Sequence, residues 1–185
     1  MTLEPISIEA FVAKPFHLWD IQNLLLTSGD FSRDRFNAMT VGWGSIGYIW
    51  RRPFVQVMVR PVRFTYSFIE EFDTFTLCAF PKQFNAALQL LGTKSGRDGD
   101  KITEAGLTPV ISTKVAAPGY AEASLVIECR KIYWDDVRPQ NFLDPELDQN
   151  YPRKDYHRFY FGEILALFGE GIIEPSERIE KTLDL

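Results

Sequence analysis

Apolar residues in this chain fall into short runs broken by turn-forming residues, and only a few stretches carry a helical period. Met1 to Lys14, with Ile6 and Ile8, reads as a short strand or arm. Leu24-Leu25-Leu26-Thr27-Ser28 reads as a buried strand stopped by Ser28-Gly29-Asp30, followed by a polar loop to Arg35. From Asn37 to Gly44 small, apolar and hydroxyl side chains alternate, which predicts an exposed strand beside a buried one at Phe54–Val59. Arg51-Arg52-Pro53 reads as the turn before that buried strand, and Pro61 breaks it. The period then changes: Phe64, Phe68, Ile69 and Phe72 predict a helix, with Thr65 as one N-cap and Ser67/Glu70 at capping-box spacing as another. Thr74–Phe80 predicts a strand. Pro81 predicts a helix with Phe84, Leu88 and Leu91 on one face and Gly92 as its stop. Ser95 opens a short helix closed by Gly106. Thr108–Lys114, Ala123–Tyr133 and Arg158–Leu167 read as strands, Asp135–Lys154 as a long acidic loop, and Ser176–Leu183 as a terminal helix. Five or more short strands without regular βαβ alternation predict a mostly β fold, a small β-barrel with helical insertions, in one domain over 1–185 with its core about 24–167.

Composition narrows the partners more than the fold. The 185 residues suffice for one domain, and fifteen Phe and four Trp predict large buried surfaces. A net charge of −5 argues against nucleic acid as a partner. No stretch reaches the roughly 18 apolar residues of a membrane span, and no secretory start is visible, so the expectation is a cytoplasmic protein with no membrane partner. Cys78 and Cys129 lie inside apolar runs with no Cys/His spacing around them, so no metal site is expected.

Positive charge is nevertheless concentrated, with Arg51, Arg52, Arg60, Arg63, Lys94, Arg97 and Lys101 within about fifty residues. Two loop-to-helix junctions carry it. Arg60-Pro61 leads through Arg63 to a helix start near Thr65, and Thr93-Lys94-Ser95 leads into a second, with Lys101 further along. Orphan N–H groups, hydroxyls and cations together suit a phosphate. Gly42-Trp43-Gly44-Ser45-Ile46-Gly47 matches the glycine pattern of dinucleotide folds. Tyr48-Ile49-Trp50-Arg51-Arg52-Pro53 then leaves no room for the helix that pattern requires, and a Rossmann site is rejected. The glycines instead leave space for something flat against the backbone.

Four blocks, N-x-M-T-x-x-W-G-S from Asn37, R-P-x-R-x-T from Arg60, G-T-x-S-G-R-D-x-D-K from Gly92 and D-Y-H-R-x-Y-x-G-E-I from Asp155, together resemble the flavin reductase-like, FMN-binding split-barrel family, especially its flavoredoxin branch. The resemblance spans Leu24–Leu167 and departs from the usual pattern at Gly99, where an apolar residue is more common. It implies a six-stranded Greek-key split barrel, a homodimer, and FMN near the subunit interface. It implies that Asn37, Met39, Thr40, Trp43, Gly44 and Ser45 line the isoalloxazine edge, and that Arg60, Arg63, Thr65, Thr93, Lys94, Ser95 and Lys101 hold the ribityl-phosphate end. It also places His157 near the flavin face that substrate approaches, as a candidate for proton steering or nicotinamide binding. The implied activity is oxidoreduction through FMN, with NADH, NADPH or a protein as electron donor. A reductase releasing reduced flavin to a partner monooxygenase, and a non-catalytic flavin-binding module, are the alternatives.

Overall fold

The computed structural model describes residues 3–169. In chain order its strands are β1 Glu4–Ile6, β2 Leu24–Asp30, β3 Arg35–Val41, β4 Gly44–Ile49, β5 Arg52–Val59, β6 Thr74–Ala79, β7 Pro109–Val110, β8 Gly119–Tyr120, β9 Leu125–Asp136 and β10 Arg158–Gly169. Three α-helices, α1 Phe64–Glu71, α2 Asn85–Thr93 and α3 Lys101–Glu104, are inserted between them, and a wide π-helical turn covers His17–Gln22. One antiparallel sheet follows the order β3-β2-β6-β9-β10-β5-β4, with β1 added on β10, and β7 and β8 form a separate ladder. The fold is mostly β, as the pattern predicts, with eight strands in the main sheet where the resemblance implied six.

Alternation within the apolar runs explains the layering. Leu24 and Leu26 point into a core with Val55, Val57, Leu77, Ile127 and Tyr160, while Leu25 points into a second core with Cys78, Phe80, Leu88 and Leu91. A strand buried on both faces reads as a continuous apolar run, which is why Leu24-Leu25-Leu26 shows no period of two. Helix α2 covers the second face, and its buried Leu88 and Leu91 realise the predicted helical stripe. Both thiols are fully buried, and burial pushes the Cys78 thiol up to about 12.

Several expectations are corrected. The Asn37–Gly44 stretch is not an exposed partner of Phe54–Val59. Asn37, Ala38, Met39 and Val41 are buried, β3 pairs with β2, and it is β4 that pairs with β5. Polar residues there are satisfied inside the protein, so hydroxyls and amides did not signal solvent. The Ser67/Glu70 capping box does not form, because Ser67 Oγ donates to the carbonyl of Phe64 (2.8 Å) and Arg63 occupies the N-cap position without a side-chain bond. Gly92 does not stop α2, which continues to Thr93. The strand read at Thr108–Lys114 shrinks to β7, since its remainder is clamped by side chains: the buried Glu128 carboxylate accepts from the backbone N–H groups of Thr113 (2.8 Å) and Lys114 (2.6 Å). The loop read at Asp135–Lys154 begins inside β9 and contains two 3-10 turns, Pro139–Asn141 and Pro145–Asn150. The Ser176–Leu183 helix lies outside the described residues.

The β4–β5 turn is Trp50-Arg51, one residue earlier than predicted, with φ of 50° and 60° between paired Ile49 and Arg52. Two left-handed residues match the twist of a two-residue hairpin, a position that usually takes Asn or Gly. Trp50 packs edge-on against Tyr133 (5.6 Å) though itself exposed, and Arg51 is exposed without such a ring contact among the described residues. Arg51→Gly relieves a left-handed strain of about 1–2 kcal/mol, against about 0.5–1 kcal/mol of added backbone entropy in the unfolded chain. It is expected to raise the thermal midpoint slightly, read by calorimetry; an unchanged or lower midpoint would show that Arg51 carries no strain.

Candidate functional site

Helix α1 begins where Pro61 turns the chain off the end of β5. Arg63, extended at φ −74° and ψ 139°, leaves the first N–H groups of the helix without a side-chain cap. Thr65 sits in that first turn, buried, and its Oγ1 accepts from Asn37 Nδ2 (2.6 Å), which ties the helix start to β3. Over this pair lies the 95–97 segment. A Cβ at Gly96 would meet Asn37 Oδ1 at 2.2 Å and Phe64 Cδ1 at 2.8 Å, so only glycine lets the two junctions pack this closely.

The second junction is held by its own side chains. Thr93 Oγ1 donates to Gln89 O (2.9 Å), Ser95 Oγ accepts from Arg97 N (3.2 Å), and Lys94 pairs with Glu104. Lys101 is buried, and its ammonium donates to the carbonyls of Leu91 (2.9 Å) and Lys94 (3.0 Å), closing the C-terminal end of α2. Burial, with the charge of Arg63 adding to it, lowers the Lys101 pKa to about 8. Among the described residues Arg63 donates only to Gly92 O (3.1 Å), and Arg97 lies over the Phe64 ring at 4.9 Å. Arg63, Arg97 and Lys101 thus form no ion pair with a carboxylate among the described residues. Gly99, at φ 130°, is a turn between two short helical pieces, a conformation that favours glycine.

Along the strand edge the predicted residues separate. Met39 points into the core, Thr40 Oγ1 donates to Leu88 O (2.5 Å), and Ser45 Oγ donates to Gln56 Oε1 (3.0 Å). The space left by Gly44 is taken by the backbone oxygen of Gln56 and this chain's own Trp19 ring, 2.3 and 2.5 Å from where a Cβ would stand, and that beside Gly42 by Asn23 Oδ1. The expectation that these glycines keep a flat space open is therefore corrected. Trp43 is 45% exposed, with its ring 5.2 Å from that of His157.

His157 belongs to a third cluster. Arg60 clasps Asp155 through both carboxylate oxygens (3.1 Å each), donates to Asn150 O (2.9 Å) and lies over the Tyr151 ring at 5.1 Å. Its guanidinium is thus engaged in pinning the 150–155 segment. Tyr151 Oη meets His157 Nδ1 at 2.9 Å. Burial first, then the charge of Arg60, lowers the His157 pKa to about 4, so the imidazole is neutral at neutral pH. The charge of Arg63 opposes protonation of both Lys101 and His157. Sequence reasoning gave Tyr151 no role, met Asp155 only as the first residue of a family block, and counted Arg97 among the clustered cations without placing it in the set that holds the ligand. For Arg97 the signal was present: it is a cation inside the same block as Ser95 and Lys101.

A cavity of about 460 Å³ lies elsewhere, beneath the N-terminal arm among Phe11, Leu18, Ala79 and Leu125, and includes none of these residues. No group of three or more metal-ligating side chains occurs among the described residues, and no helix there is long and apolar enough to cross a membrane.

An antiparallel split sheet with helices inserted at cationic junctions defines a class, and residues 22–167 match the model of the flavin reductase like domain; the chain belongs to that family. Its particular relatives include an uncharacterized protein of Pyrococcus abyssi, 28% identical over 152 residues, which are 80% of this chain and 74% of that protein. The fold is shared with an FMN-binding domain of a flavin reductases-like enzyme from Shewanella baltica (TM-score 0.64, 16% identity, 91% of this chain and 77% of that one). It is also shared with the flavoredoxin of Desulfovibrio vulgaris (Miyazaki F) (TM-score 0.62, 24% identity, 94% and 79%).

Proposed function

We propose that this chain binds FMN and transfers hydride or electrons through it, as a homodimer that takes electrons from NADH, NADPH or a protein donor. The observation that carries the reading is the set of three cations, Arg63, Arg97 and Lys101, that have no carboxylate partner among the described residues and lie around the uncapped start of α1. These groups fit a phosphate: the helix start offers N–H donors, and Arg63 offers a planar pair of donors. FMN supplies the redox chemistry when bound. The chain orients it, with Arg63 and the N–H groups at the phosphate, and with Trp43 and His157 toward the ring end. Lys101 holds the Leu91–Lys94 carbonyls in place and adds charge from behind. Arg60 serves the site by fixing Tyr151 and the segment before His157.

Absorbance of the purified protein before and after desalting, aerobically and after anaerobic reduction, tests the reading. Flavin retained through both steps supports a resident cofactor, and flavin lost on reduction supports the releasing reductase. Failure to bind FMN at all, or equal affinity for FMN and riboflavin, overturns the phosphate assignment. Bleaching of the bound flavin by NADH or NADPH separates an enzyme from a binding module. Light scattering giving the mass of one chain would remove the homodimer.

The Lys101 pKa sets a pH dependence. A phosphate favours the ammonium, so above pH 8 the free protein has lost the proton that binding must restore. FMN affinity is expected to be flat between pH 7 and 8 and to fall by up to about tenfold per unit above that, since one proton is then taken up. Fluorescence titrations at pH 7, 8 and 9.5 check it, with Lys101→Met expected to remove the dependence.

A further inference from the structure

We propose that Tyr151 locks His157 as the neutral tautomer with its proton on Nε2, so that the site presents a fixed N–H donor to an acceptor atom of its ligand. The inference rests in part on the flavin reading and deepens it by giving the histidine its chemical role.

The tautomer follows from counting donors and acceptors. Tyr151 is buried, and the only partner of its hydroxyl among the described residues is His157 Nδ1, at 2.9 Å. A phenol that accepted from Nδ1–H would leave its own hydrogen buried without an acceptor, an arrangement folded proteins avoid. The hydroxyl therefore donates, Nδ1 accepts, and the single proton of a neutral imidazole sits on Nε2. Among the described residues Nε2 has no partner. The ring that carries it stands 5.2 Å from the half-exposed Trp43.

The charges around the ring keep it neutral. Arg60, stacked on the far partner Tyr151, and Arg63, on the helix junction, both oppose protonation. Asp155 favours it, but its carboxylate is held by both of its oxygens on Arg60. An imidazolium would also turn Nδ1 into a donor facing a donor. The group at Nε2 is thus a hydrogen-bond donor and neither an acid nor a base near neutral pH. It recognises an acceptor such as a carbonyl oxygen or an unprotonated ring nitrogen, as found on a flavin or on a carboxamide. Tyr151 is a positioning residue that acts through His157. Proton steering by His157 is replaced by recognition.

Long-range ¹⁵N–¹H correlation spectra of the ligand-free protein test the tautomer without any flavin. We expect a pyridine-like Nδ1 and a pyrrole-like Nε2 for His157, unchanged from pH 8 down to about pH 5. A pyrrole-like Nδ1, or protonation near the ordinary histidine value of about 6.5, overturns the proposal. Tyr151→Phe should convert the fixed signature into a mixture, and a variant that keeps the wild-type signature would equally sink it. The ligand half is read with FMN: His157→Gln, which keeps an N–H near the Nε2 position, should bind FMN or accept electrons from nicotinamide within severalfold of wild type. His157→Ala should lose tenfold or more. If both variants bind and turn over like wild type while the spectra show the Nε2–H form, the tautomer stands and the recognition role falls. If no flavin binds to any form, the spectra still decide the tautomer, and the flavin reading fails by itself.

Discussion

Arg63→Ala is expected to weaken FMN binding by about ten- to a hundredfold while leaving the ligand-free protein nearly as stable as wild type. A charge-assisted hydrogen bond contributes about 1.5–3 kcal/mol, and each 1.4 kcal/mol is tenfold in affinity. Arg63 is the residue on which that loss falls most directly. Its side chain is exposed and, among the described residues, makes one hydrogen bond, to Gly92 O, so little of the fold depends on it. Removal of an exposed side chain of this kind costs within about 0.5 kcal/mol of stability. Lys101 makes the opposite case: it is buried and satisfies two carbonyls of α2, so Lys101→Met is expected to lower stability and affinity together. Paired thermal melts and fluorescence titrations of the two variants separate a ligand contact from a structural support. Full retention of FMN by Arg63→Ala would move the phosphate anchor elsewhere, even with the family unchanged.

The fold was readable from the chain where a pattern has one physical cause. Phe54–Val59 and Arg158–Leu167 are rich in β-branched and aromatic residues, and both are central strands. The Leu88/Leu91 stripe is a helix packed on the sheet. Legibility failed where side chains compete with the backbone or with solvent. Asn37, Thr40 and Ser45 looked like groups waiting for a ligand. In the structure each finds a partner in its own chain, at Thr65, Leu88 O and Gln56. A polar side chain in a strand gives no sign of whether its bond is internal. The candidate site shows the same limit. The two cationic blocks were visible because charge is written in residue identity. That Arg60 is neutralised by Asp155 while Arg63 is not depends on contacts 95 residues apart in one case and 29 in the other, which no local pattern records. Tyr151 was invisible for the same reason: nothing in its neighbourhood says that its hydroxyl meets His157.

Acidification is expected to destabilise the protein between pH 6.5 and 4, ahead of its carboxylates, and His157 is expected to be the cause. In the unfolded chain a histidine titrates near 6.5; in the folded protein burial and Arg60 hold His157 at about 4. Between these values the unfolded state binds the additional proton. Stability is therefore full above pH 6.5 and is lost as pH falls through the window, by about 3 kcal/mol in all and about 2 kcal/mol by pH 5. For a domain whose whole stability is about 5–15 kcal/mol that is a large share. The carboxylates with lowered pKa values, Asp136 beside Arg158 and Glu163 beside Arg130 and Arg52, act at lower pH, since they lose stability only as they take up protons below their ordinary range. The two windows can thus be told apart. Urea midpoints of wild type at pH 7, 6, 5 and 4.5 should fall steadily. His157→Gln, which cannot titrate, should start lower at pH 7 because its amide fits the Tyr151 contact less well, but should stay level down to pH 5. A wild-type midpoint that does not move between pH 7 and 5 would show that His157 takes up its proton without cost. A variant that falls in parallel with wild type would assign the acid sensitivity to another group.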